Sequence, residues 1–170
     1  MSKKLCAIIL VLLFILTGCA QQSNVKGEKS DNIEAKIHFT DDFGQEVNLD
    51  KPAKRIISLY SAHTENLFSL GLDDEIIGVG KSDAFPPRVR TKEIFDYRSD
   101  PEKVITANPD LVLIRPFINR GNPDFVEALQ KANITVVSLY PEKFTDFPNY
   151  IEKLALLTGK EEEAKALLAE

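Results

Sequence analysis

The chain has 170 residues, enough for one ordinary domain and too few for two of typical size. Its 44% hydrophobic and 28% charged residues exclude wholesale disorder and collagen-like repeats, and its net charge of −5 without a basic run argues against nucleic-acid binding. Both cysteines, Cys6 and Cys19, fall in the first nineteen residues, which excludes a disulfide framework and a cysteine-based zinc site.

In chain order, Lys3 and Lys4 precede an apolar run from Ala7 to Leu16. Ten residues of helix span roughly half of a ~30 Å hydrocarbon core, so the run fits a signal-peptide h-region better than a permanent membrane span. It ends in Leu16-Thr17-Gly18-Cys19, which resembles the bacterial lipoprotein box. The resemblance implies cleavage after residue 18 and lipidation of Cys19. Cleavage would remove two positive charges and no acid, taking the net charge from −5 to −7, so acyl chains rather than attraction to anionic lipid would hold the protein at a membrane. An ordinary secretory signal with an incidental cysteine is the alternative. Residues 19–36 are polar and lack aromatics, as expected of a flexible tether.

A domain is predicted over 37–159. Two alternating runs in Ile37–Leu49 flank Asp41-Asp42-Phe43-Gly44 and read as a β-hairpin. Strands follow at Arg55–Tyr60, Glu75–Gly80, Asp110–Ile114 and Ile134–Leu139. Between them lie helices at His63–Leu70, from Asp100-Pro101-Glu102 onward, at Pro123–Ala132 and at Phe144–Leu157. Continuous apolar strands alternating with helices predict an α/β fold, a Rossmann-like parallel sheet covered on both faces. Ligands of such sheets bind beyond the carboxyl ends of the strands. That singles out the loops Ser61–Thr64, Lys81–Arg98, Arg115–Asn122 and Tyr140–Lys143. The final run, Lys160–Glu170, starts another helix and has no stop signal, which predicts the first half of something larger.

Within these loops Arg98, Arg115 and Arg120 point to an anionic ligand, because guanidinium forks suit carboxylate, catecholate or hydroxamate oxygens and stay charged when desolvated. Pairing with Asp96, Asp100 or Asp124 at the surface is the alternative. Phe85 and Tyr97 could stack on a ligand ring or pack in the core. His38, in the hairpin, reads as structural. An enzyme is poorly supported: Gly78-Val79-Gly80 is a fragment of a dinucleotide fingerprint without its third glycine, and there is no GxSxG elbow or Walker A loop.

The order of Ile-His-Phe-Thr-Asp-Asp-Phe-Gly, RIISLYSAHTENLFSLGLDDEIIGVG, Phe85-Pro86-Pro87, Asp100-Pro101-Glu102-Lys103-Val104 and Asn108-Pro109-Asp110-Leu111-Val112 resembles the class III periplasmic-type binding proteins. These are the substrate-binding lipoproteins of ABC importers for ferric siderophores, haem and cobalamin. The resemblance implies two α/β lobes joined by one long helix. Residues 37–159 would form the N-terminal lobe and 160–170 the start of the inter-lobe helix. It implies that Ser61, Ala62 and His63 line the cleft and that Glu102 docks into an arginine pocket of the permease; Glu65 also matches a family glutamate but reads as structural. It further implies a permease dimer with its ATPase subunits as partners. No cofactor of the protein's own is expected, since the metal sits inside a bound chelate. His63 could instead ligate haem iron, as could Tyr60 or Tyr97. A ferric siderophore is the expected ligand, with cobalamin or haem as alternatives. A surface-anchored Rossmann-like enzyme and a non-functional fragment are the more remote readings.

Overall fold

The computed structural model describes residues 36–169, so Cys19 and the tether lie outside the described residues. Strands β1 (Ile37–Thr40) and β2 (Glu46–Leu49) pair antiparallel, with Ile37 opposite Leu49 and Thr40 opposite Glu46. Ile37 and Val47 turn inward, and the alternate residues face solvent. The turn needs Gly44 at φ +87°, and the buried Asp41 carboxylate accepts the backbone N–H groups of Phe43 and Gln45 at 2.9 and 2.8 Å.

The remaining strands, β3 (Ile56–Ser58), β4 (Ile76–Gly80), β5 (Glu93–Phe95), β6 (Leu111–Ile114) and β7 (Thr135–Ser138), form one parallel sheet in the order β5-β4-β3-β6-β7. Helices α1 (Ser61–Ser69), α2 (Glu102–Thr106), α3 (Pro116–Gly121), α4 (Pro123–Lys131), α5 (Phe147–Thr158) and α6 (Glu161–Leu168) alternate with them. The expected α/β fold is therefore present. Side chains of one strand part to opposite faces: Leu111 and Leu113 enter a core with Leu67, Ile151 and Leu154, while Val112 and Ile114 enter another with Phe125 and Leu129. Burial on both faces is why these strands read as unbroken apolar runs.

The helix ends follow local chemistry. Asp100 accepts the Glu102 N–H at 3.0 Å, as its capping position predicts. Asn122 caps α4 by accepting from the Phe125 N–H at 3.3 Å. Gly159 ends α5 in the left-handed region at φ +69°.

Three details differ from the sequence expectation. The edge strand β5 goes unpredicted, because Glu93 and Ile94 are exposed and only Phe95 is buried, leaving no apolar run. Arg115–Asn122, expected as a loop, contains α3, which opens on Pro116. Helix α1 starts at Ser61, so Ser61–Thr64 is its first turn and not a loop. Gly78 also finds its reason here. A Cβ on it would collide with the Phe95 ring, so the Gly78-Val79-Gly80 segment is shaped by strand packing.

Candidate functional site

The chain runs outward from β3 through β4 to β5, returns to β6 on the other side of β3, and continues to β7. The segments leaving β3 and β6 therefore diverge, and a crevice opens at their carboxyl ends. Tyr60 follows β3 and Arg115 follows β6. Parallel pairing of these strands, continued by the Leu59 N–H donating to the Leu113 carbonyl at 2.9 Å, brings the two side chains together.

The Arg115 guanidinium carbon lies 4.9 Å from the Tyr60 ring centroid and 4.9 Å from that of Phe117. Tyr140, which follows β7, has its ring centroid 6.1 Å from that of Tyr60, tilted by 48°. Arg115, Phe117 and Tyr140 border a groove of about 660 Å³ at the carboxyl ends of β6 and β7, whose lining also includes Arg120, Asp146 and Tyr150. Phe117 is 51% and Tyr140 40% exposed, so both present ring surface to solvent. Neither Arg115 nor Arg120 has a carboxylate within ion-pair distance among the described residues. The Arg115 cation thus lies over two rings, and its N–H groups have no carboxylate partner among the described residues.

Below the groove lies His63. It is fully buried, with Nε2 3.0 Å from the Ile114 carbonyl and Nδ1 2.7 Å from the Tyr150 hydroxyl. A carbonyl only accepts, so Nε2 carries the proton and Nδ1 accepts from the Tyr150 O–H. Burial holds the imidazole pKa down at about 4, against the smaller opposing pull of the Ile114 carbonyl. Burial likewise pushes the Tyr150 phenol well above its ordinary range. His63 thus braces α1, β6 and α5 against one another. This corrects the expectation that it contacts a ligand, since both ring nitrogens are committed inside the fold.

The other expected residues divide. Arg115 and Arg120 come together in the groove. The Ser61 hydroxyl donates to Asp83 Oδ1 at 2.8 Å and lies 3.3 Å from Ser82 Oγ, which ties α1 to the loop after β4. Phe85 is 61% exposed and is not among the groove residues. Tyr97 packs against the core cluster of Val112 and Phe125, with Arg98 stacked 4.9 Å from its ring centroid, and neither lines the groove. Glu102 is exposed at the start of α2. His38 sits in the hairpin, with Nδ1 2.8 Å from Asn48 Oδ1 and Nε2 3.4 Å from Glu46 Oε2. Phe117 and Tyr140 lie in loops that the sequence singles out but are not named there as site residues, and Tyr150 escapes the sequence reading. The available signal was position: Phe117 and Tyr140 are the aromatic residues that come next in the chain after β6 and β7.

Residues 56–170 match the periplasmic binding protein family. The chain belongs to this family. An uncharacterized ABC transporter substrate-binding lipoprotein, YvrC of Bacillus subtilis, is 31% identical over 166 residues, which is 95% of this chain and 53% of YvrC. The vitamin B12-binding protein of Vibrio vulnificus is 31% identical over 107 residues, 61% of this chain and 38% of that protein. The crystal structure of a possible iron-binding, periplasmic solute-binding protein from Staphylococcus epidermidis superimposes with a TM-score of 0.65 at 29% identity, covering 70% of this chain and 47% of that one. The chain spans about half the length, or less, of the family members it matches. Among the described residues no helix is long and apolar enough to cross a membrane.

Proposed function

We propose that this chain forms a ligand-capturing lobe of a substrate-binding lipoprotein that serves an ABC importer, and that its cargo is an iron–siderophore-type chelate. The observation that carries this reading is the pair of guanidinia without acid partners among the described residues, Arg115 and Arg120, in a groove at the carboxyl ends of the parallel strands. Membership of the periplasmic binding protein family and the names borne by YvrC and the staphylococcal protein support it. The iron travels inside the chelate, held by the chelate's own oxygens. The activity is capture and delivery, with no bond made or broken. Lipid on Cys19 holds the protein at the outer face of the cell membrane, and the exposed Glu102 docks on the permease, which works with its ATPase subunits.

The similarity to the Vibrio protein favours cobalamin as a second reading. The haem alternative loses the histidine it would draw on, because His63 is enclosed. Deletion of the gene decides between the first two. Growth on a ferric siderophore as the sole iron source should fail, and cobalamin-dependent growth should be normal. The opposite pattern overturns the siderophore reading.

A further inference from the structure

The groove's aromatic wall narrows the class of cargo further than its charge alone, provided that the protein serves an importer as proposed. Phe117, Arg115, Tyr60 and Tyr140 form a chain of neighbouring planar groups, with the guanidinium carbon 4.9 Å from each of two ring centroids and the last two rings 6.1 Å apart and tilted by 48°. Its ends, Phe117 and Tyr140, carry the exposed ring surface. Arg120 stands at the end of α3 beside them, also without an acid partner among the described residues. The acids of the groove are otherwise occupied or peripheral. Asp42 is held by Lys153 at 2.6 Å and accepts the Tyr140 N–H at 2.7 Å. Asp146 accepts the Lys143 N–H of its own turn at 3.0 Å, and Glu142 is exposed. Glu142 and Asp146 also line the groove, so the positive charge among the rings is local to Arg115.

The geometry points to a chelate whose iron-binding oxygens are borne on aromatic rings, an anionic aryl-oxide of the catecholate kind. A catecholate ring offers a flat face for Phe117 or Tyr140 and, at its edge, two adjacent oxyanions that match a guanidinium fork. A tris-catecholate of iron(III) carries three negative charges, which two unpaired arginines attract. A tris-hydroxamate of iron(III) is neutral and has no ring, so it would leave both the stacking surface and the cations unused. A corrin ring is flat too, but its side chains are amides and offer no oxyanion pair to a guanidinium; haem has edge carboxylates, but the nearest histidine, His63, is enclosed and cannot reach its iron.

The test is equilibrium dialysis of the full chain against iron(III)–enterobactin, a tris-catecholate, and iron(III)–ferrichrome, a neutral tris-hydroxamate, with cyanocobalamin in a third arm. The tris-catecholate should bind at least about tenfold more tightly than the tris-hydroxamate, and its affinity should fall as salt rises. Arg115→Lys keeps the charge and removes the planar fork, and should weaken the tris-catecholate about tenfold or more. Phe117→Leu alters a residue that is half exposed and outside the buried core. It should weaken the tris-catecholate about threefold or more and leave tris-hydroxamate binding unchanged. Preference for the tris-hydroxamate, or unchanged tris-catecholate binding in both variants, overturns the aryl-oxide inference and leaves the importer reading standing. Binding of cyanocobalamin alone overturns the siderophore reading and this inference with it, as does binding of none of the three.

Discussion

At neutral pH the imidazole of His63 is an uncharged strut, and a single proton would undo it. A proton on Nδ1 turns the acceptor of the Tyr150 O–H into a second donor inside a site without solvent. The folded chain holds His63 neutral down to about pH 4, while the unfolded chain takes up the proton near the ordinary value of 6.5. The unfolded state therefore binds more protons in this window. The contribution is fully present above pH 6.5 and is lost as pH falls from 6.5 through about 4. At the lower end it amounts to about 3 kcal/mol. Urea unfolding from pH 7.5 to 3.5, compared between wild type and His63→Leu, should show this slope as a difference between the two proteins. Equal pH dependence would contradict the buried neutral imidazole. At pH 7 the same variant should lose about 2 kcal/mol, because the Tyr150 hydroxyl is stranded.

Among the elements, the hairpin and the strand edge carry separate consequences. Asp41 uses Oδ1 for its own turn and Oδ2 to accept the Ser138 N–H at 2.9 Å, while the Asp42 N–H donates to the Ser138 carbonyl at 2.9 Å. The hairpin thus clips the carboxyl end of β7, the strand that leads into Tyr140. Asp41→Asn sets an amide donor against the Ser138 N–H and should cost about 1–3 kcal/mol in chemical denaturation, with a far-UV spectrum unchanged from wild type. On the opposite edge, Gly78→Ala drives a methyl group into the Phe95 ring and should cost about 1–3 kcal/mol, most of it recovered when Phe95→Leu is added. Additive losses in the double variant would refute that contact.

The same elements mark how far the sequence could be read. The four strands buried on both faces and several helix ends were legible, because apolar runs, Asp100 and Gly159 act locally. Strand β5 was not, since its order depends on pairing with β4 and one buried ring. Arg115 and Arg120 were legible as charges at strand and helix ends. The burial of His63 was not legible, because a helix beginning at Ser61 turns it into the core, toward Tyr150 and Ile114, and neither partner is a sequence neighbour. The grouping of Tyr60, Arg115, Phe117 and Tyr140 joins residues brought together by strand order, which no local pattern encodes.

At the scale of the whole molecule, the proposed function assigns capture and delivery to different residues. Glu102 starts α2, and Arg115 follows β6 at the groove. Glu102→Ala should leave chelate affinity and thermal unfolding as in wild type, while uptake in cells falls at least about tenfold. A variant that loses affinity in the purified chain would place Glu102 in the ligand site.

The most direct test is where the chelate sits. The chain has four tyrosines and no tryptophan, so selective ring labelling reports on few positions. Tyr140 and Tyr150 line the groove, Tyr60 stacks on Arg115, and Tyr97 is outside. Nuclear magnetic resonance of ring-labelled protein titrated with the diamagnetic gallium(III) form of the tris-catecholate should move the Tyr60 and Tyr140 signals and leave Tyr97 in place. Shifts confined to Tyr97, or none at saturating chelate, would contradict the assignment of the groove at the carboxyl ends of β6 and β7 as the site of capture.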